Sequence, residues 1–477
     1  MTKQEAVIKY IEDNYLQFRR LRHDIVSDKL QIRMEADLEG LTTLGASVQR
    51  SKAAVQNGSE LWREMTKQDI NSIVCHCAQE CDVNITSREV MTALQSDLIP
   101  DVHPLREYIH SLKPYTPDQP DWIDFVASQV KVRESAQDRP KGLLERTSCC
   151  QTTALRDRYA ERPTNLTGEA DLTVSEANGL ASNSSQCERS AANRLWRACF
   201  KKWFVAMVAS WMKDEVVNHQ VLVLIGKQGI YKTTWLEHLI PPHLRAYACK
   251  LANSNDLNKD ERLRIAEFGL ISLDEIDSMN NRELNQLKSV ITATDVNERA
   301  AYAYTKERRI RLASFCASGN RRDFLTDITG NRRWLPFEVE SIQNPFHTIL
   351  PYEQMYAQAW ALANDEFFSY WFDLDEIEVL EQHNQHFRDE SNEEQLLPIL
   401  FDVPAEGKGE FLTTAQISER LITYGNIKKP MALSRLGMLL GAHGFQKKTI
   451  GVQRLRGWLV YQRSMDEINA NKRLYAK

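Results

Sequence analysis

The chain has 477 residues, a formal net charge of −5 and 42% hydrophobic residues. At about 150 residues per domain, that length sets a prior of roughly three domains with enough apolar content for full cores. The mild acidity gives no global nucleic-acid signature, no run of about 18 apolar residues marks a membrane helix, and nine cysteines without paired spacing fit a reducing cytoplasm better than a disulfide framework.

The opening MTKQEAVIKYIEDNY reads as a charged amphipathic helix and not as a signal peptide. DKLQIRM is strand-like. Residues 66–99 read as two helices, the second capped by Thr86 or Ser87 with Glu89. They form either an ordinary helical hairpin or half of a helix-turn-helix. Cys75, His76, Cys77 and Cys81 cluster in the first, but no second pair arrives at zinc spacing. Buried thiols on the face of Ile70, Ile73, Val74 and Cys77 are the expectation. Two helical pieces among prolines (100–130) complete a mainly helical N-terminal region, 1–130. From 131 to 190 Ser, Thr, Asn, Arg and Glu dominate and apolar periodicity fades, which predicts a flexible linker or insertion.

The segment 192–213 is an apolar helix whose Trp196, Trp203 and Trp211 are core or interface anchors. It opens a predicted P-loop ATPase core over 191–345. The apolar run Val221 to Ile225 stops at a Gly-rich turn, and a helix-like TTWLEHLI follows. Strand, loop and helix in that order suit a polyphosphate, because loop N–H groups and the helix dipole converge on negative charge. The candidate loop is Gly226, Lys227, Gln228, Gly229, Ile230, Tyr231, Lys232, Thr233 and Thr234. Lys232 would reach the β/γ-phosphates of ATP and the Thr233 hydroxyl would hold Mg²⁺. Tyr231 stands where the pattern G-x-x-x-x-G-K-[ST] has its second glycine. A side chain tolerates positive φ poorly there, so Gly229 is the candidate for the left-handed conformation. The competing reading is a strand–helix turn with an incidental Lys-Thr.

FGLISLDE (268–275) is an apolar strand ending in two acids. Asp274 suits positioning of Mg²⁺, and Glu275 suits polarising the attacking water. The 42 residues from Lys232 to Asp274 leave room for a helix, a strand and a helix before this next parallel strand. RLASFCASGN ends at Asn320, which can contact the attacking water or γ-phosphate, or simply form a turn. Arg332 and Arg333 precede another strand. One of them is a candidate arginine finger for a neighbouring subunit; the alternative is a solvated turn.

Residues 346–410 read as helices followed by an acidic linker, with fourteen acids over 365–410 against Arg388 and Lys408. Residues 411–465 alternate helix, turn, helix and basic hairpin, the winged-helix order. Arg435 on the second helix and Lys447, Lys448, Arg454 and Arg456 on the hairpin are candidates for phosphate contact on one side. A protein-docking module with a solvated basic face is the alternative.

GKQGIYKTTW, LDEID, and the run LNQLKSVITATDVNERAAYAYTKERRIRLASFCASGNRRDFLTDITGNRRW together resemble the virulence-associated protein E family. These are ATPases carried by phages, plasmids and integrated elements, notably in Bacteroides-type bacteria. HPLREYIHSL is similar to that family's entry segment, so the resemblance covers roughly 100–130 and 190–345. The family in turn resembles superfamily 3 helicases and primase C-terminal ATPases. The implied fold is α/β, an AAA+-like core with a parallel sheet, flanked by the helical N-terminal region and a C-terminal winged-helix domain. The resemblance implies ATP and Mg²⁺ as cofactors, a hexamer-like homo-oligomeric ring on single-stranded or forked DNA, a primase or replication initiator as partner, and no membrane. Carried over by position, Lys232 and Thr233 are the Walker A pair, Asp274 and Glu275 the Walker B pair, and Asn320 the sensor. The segment between Walker B and sensor supplies pore-facing DNA contacts in such helicases. Here it holds Arg299, Tyr302, Tyr304, Lys306, Arg308 and Arg309, cations and aromatics interleaved; a structural hairpin with solvated charges is the alternative. No polymerase-type acidic triad precedes the core. The expected function is a DNA-dependent ATPase and replicative helicase of a mobile element. The alternatives are a nucleotide-gated initiator or regulator that does not translocate, and a defective ATPase.

Overall fold

The computed structural model describes residues 2–17, 19–33, 62–81, 84–133, 191–251, 259–298, 307–325, 331–405, 409–450 and 454–469. It divides into two compact units, Met1–Arg321 with Arg333–Leu380, and Arg322–Arg332 with Glu381–Lys477.

In the first unit, helix Lys3–Ile11 starts at a capping box of Thr2 and Glu5. Strands β1 (Leu21–Asp24), β2 (Lys29–Arg33) and β3 (Trp62–Glu64) follow, then helices Lys67–Cys81 and Ser87–Leu94, then β4 (Asp101–Val102). The second helix is capped as expected, by Thr86 with Glu89. The strands form a sheet in the order β3-β2-β1-β4. Ile73 and Cys77 share a core with Val7, Ile11, Val90 and Leu94, while Cys75 is exposed. That is the packing expected of a thiol acting as a small hydrophobe.

After helices Pro104–Ser111 and Trp122–Ser128, β5 (Val130–Val132) runs antiparallel to a later strand. Its alternating burial, Val130 and Val132 in and Lys131 out, is the period of a strand. The predicted linker therefore does not begin at 131; residues 134–190 lie outside the described residues.

Helix Ala191–Met212 precedes β6 (Val221–Ile225), helix Lys232–His238, β7 (Ala248–Leu251), helix Lys259–Glu267 and β8 (Leu270–Leu273). Helix, strand and helix thus separate the loop lysine from the acid-bearing strand, as its spacing required. Helix Asn281–Thr292, the hairpin β9 (Asp295–Glu298) and β10 (Glu307–Ile310), β11 (Ser314–Gly319) and β12 (Trp334–Ile342) complete the set. The main sheet has the order β5-β12-β6-β11-β8-β7. All pairings except β5 with β12 are parallel. β6 is central, and the chain leaves it for the far edge before returning strand by strand. In such sheets the crevice beyond the strand C-termini, where the order reverses, is where ligands bind.

Three tryptophans fix helix Ala191–Met212 to this sheet. Spaced seven and eight residues apart, Trp196, Trp203 and Trp211 fall on one stripe. Their indole N–H groups donate to the carbonyls of Ala127 (2.9 Å), Phe315 (3.1 Å) and Gly269 (3.1 Å). All three rings are fully buried, so they are core and not a stacking platform for bases. Arg311, also buried, donates to the carbonyls of Val290, Ile291 and Ala293 at the end of helix Asn281–Thr292. A cation there satisfies carbonyls that the helix leaves open and meets the negative end of its dipole. Helix Tyr352–Ala363 packs on the same core through Met355, Tyr356 and Ala359.

The second unit has its own core. Helix Asn392–Leu400 and β13 (Phe401–Asp402) lie in the stretch expected to be an acidic linker. Leu397, Leu400 and Phe401 are buried, and Glu394 pairs with Arg388 at 2.5 Å. The acids misled because they surround a narrow apolar stripe. β14 (Glu410–Leu412), helices Thr414–Gly425 and Leu433–Ala442, and the hairpin β15 (Gln446–Ile450) and β16 (Leu455–Gln462) follow. Asn426 takes the left-handed position that ends the first of these helices. Gly444 does so after the second.

Trp203→Ala should lower unfolding stability by about 3–5 kcal/mol, read from the denaturant midpoint. A loss below about 1 kcal/mol would remove this helix as the anchor of the sheet.

Candidate functional site

The site forms where three parallel strands end. Ile225 of β6 is level with Gly319 of β11, and Ala317 of β11 is level with Leu273 of β8. The residue after each end therefore faces the same space. A cavity of about 340 Å³ opens there, lined by the loop from Gln228 to Thr234, by Asp274 and Glu275, and by Ser318, Gly319 and Asn320.

The loop leaves β6 through Gly226. A Cβ there would sit 2.8 Å from the Val339 carbonyl oxygen, so only glycine lets the turn pass β12. Gly229 takes φ +85°, as expected, but Tyr231 is left-handed as well, at φ +66°. The expectation that Gly229 would relieve the tyrosine is therefore wrong: the turn needs both. An L-residue in this region costs about 1–2 kcal/mol. Trp235 N–H donates to the Tyr231 carbonyl at 2.8 Å and starts the helix immediately after.

Lys232 is buried, with its ammonium on the carbonyls of Gly226 (2.8 Å) and Lys227 (2.7 Å) and 3.3 Å from Asn320 Oδ1. Burial lowers its pKa below the ordinary lysine value, opposed by the carboxylates of Asp277 and Asp274. Of the remaining loop candidates, Gln228, Gly229, Thr233 and Thr234 line the cavity. Gly226 and Lys227 contribute carbonyls to Lys232, and Ile230 packs against the core.

Thr233 Oγ1 lies 3.2 Å from Asp274 Oδ1 and 2.9 Å from the Ser318 hydroxyl, which itself donates to Asp274 Oδ1 at 2.7 Å. The other Asp274 oxygen meets Lys250 Nζ at 2.8 Å. Burial raises the Asp274 pKa, but the Lys250 ammonium and the two hydroxyls outweigh it and hold the carboxyl below its usual 3.8. This set of hard oxygens suits Mg²⁺, which takes one or two protein ligands and keeps most of its waters. Among the described residues no group of three or more His, Cys, Asp or Glu is placed to hold a metal ion.

Glu275 is exposed and left-handed, at φ +53°. Asp277, two residues on, accepts from the backbone N–H groups of Asn320 and Arg321, both at 3.1 Å, and so ties the end of β8 to the end of β11. Sequence reasoning missed Ser318, Lys250 and Asp277. Only Ser318 left a signal, two residues before Asn320 and hence on its side of the strand.

In the first unit, the described candidates that remain, Arg308, Arg309 and Arg333, do not line this cavity. Arg333 enters β12, whose first residue Trp334 pairs with Val221, at the opposite end of β6 from the loop. Arg332 is exposed, in the 3₁₀ turn Asn331–Arg333. Arg299 and Lys306, with Tyr302 and Tyr304, fall outside the described residues. Arg308 is exposed and pairs with Asp295. Arg309 is bound to Asp28 (2.5 Å) and Glu267 (3.7 Å). In the second unit Arg435 is half-buried, and Lys447, Lys448, Arg454 and Arg456 are exposed. The hairpin register, Lys447 with Trp458 and Lys448 with Gly457, puts the two lysines on opposite faces. The basic residues do not all share one side.

Residues 173–394 match a family model described as the virulence-associated protein E-like domain. No curated protein sequence matches the chain. Among solved structures, an apo structure of the NrS-1 C terminal region (305-718) aligns at 10% identity, over 96% of this chain and all of that one, with a TM-score of 0.39. A second, A-form apo structure of that region aligns at 10% identity over 96% and 99%, with a TM-score of 0.40. No helix among the described residues is long and apolar enough to cross a membrane.

Lys250→Met should move the Asp274 titration upward, toward or above 3.8, because burial then acts without the ammonium. Carboxyl NMR reads it. Since the folded carboxyl is depressed, its contribution to stability is present above the ordinary range and lost as pH falls through the depressed value. An unmoved titration would mean Lys250 is not the group that holds it down.

Proposed function

We propose that this chain, with its virulence-associated protein E-like domain, is a DNA-dependent ATPase that serves replication of a mobile element as a helicase. The observation that carries the reading is the convergence of Lys232, Thr233, Asp274, Glu275 and Asn320 on one cavity at the ends of β6, β8 and β11. Their side-chain types match the needs of phosphoryl transfer to water.

The Lys232 ammonium now rests on two loop carbonyls; a γ-phosphate gives it a stronger, charged partner. Thr233 and Asp274 would hold Mg²⁺, with Ser318 fixing the orientation of the carboxylate. Bound there, the ion would neutralise charge on the β- and γ-phosphates. Glu275, a left-handed residue lining the cavity, would orient the attacking water and accept its proton. Asn320 contacts Lys232 already, and in the reacting complex it would contact the γ-phosphate or the water. Arg333 cannot serve its own nucleotide: its strand enters the sheet four residues below the loop, about 13 Å away at 3.3 Å per residue. A finger role for Arg333 would therefore act on a neighbouring subunit's nucleotide. DNA contact would fall to Arg308 on the β9–β10 hairpin and to the basic hairpin of the second unit.

One observation favours the second reading, a regulator that holds DNA without unwinding it. Arg309 is neutralised by Asp28 and Glu267, which leaves the hairpin with less free charge for tracking a strand.

Glu275→Gln should cut ATP turnover by about 10²–10⁴-fold and leave ATP binding near wild type, while Lys232→Ala should lose binding itself. Single-stranded DNA should stimulate the wild-type rate. Unchanged turnover in Glu275→Gln would overturn the assignment of the water-orienting acid. In a forked-duplex assay, stimulated hydrolysis without strand displacement would select the regulator.

A further inference from the structure

The cavity is built for phosphates and metal. Its walls are loop backbone, the Lys232 ammonium, hydroxyls, carboxylates and two carboxamides, with one aromatic side chain, Tyr231. A nucleoside attached to a triphosphate in this space has to lie outside it, past the rim, and the structure has an aromatic surface there.

Tyr231 is 39% exposed, and its ring meets Phe346 edge-on, with centroids 6.5 Å apart and planes at 81°. His238, seven residues along the same segment, meets Phe346 from another side at 5.4 Å and 88°. Two perpendicular rings thus set the plane of the Phe346 ring, which stays 70% exposed. The segment carrying Phe346 is held at both ends. On one side it leaves β12, the strand that grazes Gly226. On the other, the Tyr352 hydroxyl donates to the His238 carbonyl at 2.7 Å, and the Tyr356 hydroxyl to the Leu239 carbonyl at 3.0 Å. Within it, the Phe346 N–H donates to Asn344 Oδ1 at 3.0 Å. A large apolar ring fixed in orientation, open to solvent and beside the rim of a phosphate cavity is suited to stack a flat base.

We infer that Phe346, set by Tyr231 and His238, is the stacking surface for the nucleobase of the triphosphate bound by the 226–234 loop. This rests on the phosphate-site reading above and adds the subsite that reading lacks. It also gives Tyr231 a reason to occupy a glycine position: the ring supports the base platform at the cost of a left-handed backbone. A platform of this kind recognises a π-face and not a hydrogen-bonding edge, so it takes ATP and GTP alike.

The test is calorimetric titration of the full chain with MgATP, MgGTP and magnesium tripolyphosphate, which has no base. Phe346→Ala should weaken both nucleotides about tenfold and leave tripolyphosphate unchanged. His238→Ala, which removes a support of the Phe346 ring from outside the cavity, should also lose nucleotide affinity without losing tripolyphosphate. Phe346→Trp should bind nucleotides at least as well as wild type. Unchanged ATP affinity in Phe346→Ala overturns the inference, as does an equal loss of ATP and tripolyphosphate. If wild type binds tripolyphosphate as tightly as ATP, the phosphate site stands and the base platform falls. If wild type binds neither, both fall.

Discussion

The site depends on strand register. β6, β11 and β8 are parallel and aligned so that Ile225, Gly319 and Leu273 end within two residues of one another. Lys232, Asn320 and Asp274 come from positions up to 88 residues apart, and this alignment alone brings them to one cavity. Side-chain direction in a strand has a period of two, so a slip of one residue in β11 would turn Ser318 away from Asp274. The tryptophan helix opposes such a slip. Trp203 holds the Phe315 carbonyl in β11 and Trp211 the Gly269 carbonyl before β8.

Around that frame, two of the six left-handed non-glycine residues among the described residues lie at the candidate site. Tyr231 and Glu275 are both left-handed non-glycine residues, and both line the cavity. Such conformations cost of order 1–3 kcal/mol and persist only where the surroundings over-determine them. At Tyr231 the surroundings are the close pass of Gly226 by β12 and the helix that begins at Lys232. At Glu275 they are the 3₁₀ turn Ile276–Ser278 and Asp277, whose carboxylate accepts from the N–H groups of Asn320 and Arg321 just after β11. Lys250 and two hydroxyls hold the Asp274 carboxyl below its usual range against burial, whereas at Lys232 burial wins and lowers the pKa against the pull of Asp277 and Asp274.

Much of this was legible in the sequence, and the limits have physical causes. Apolar runs stopped by glycine or paired acids located β6, β8 and β11, because a buried parallel strand has no room for polar side chains. The Trp196, Trp203, Trp211 spacing marked one helical stripe. What spacing could not show was contact across the sheet: Lys250 reaches Asp274 because β7 is the neighbour of β8, and sequence order alone does not fix strand order. The acidic stretch at 389–402 read as a linker because charge outweighed the few leucines that make the core of the second unit. The hairpin lysines were grouped by proximity in sequence, whereas the pleat sends Lys447 and Lys448 to opposite faces.

Lys232 and Asp274 are claimed to act on one ligand, the lysine on its phosphates and the carboxylate through magnesium. ATP titrations with and without Mg²⁺ on Lys232→Ala and Asp274→Asn separate these roles. The predicted result is that Lys232→Ala weakens ATP under both conditions, while Asp274→Asn weakens it only when Mg²⁺ is present. ATP affinity in Lys232→Ala equal to wild type, or a loss in Asp274→Asn that is the same without the metal, would contradict the site.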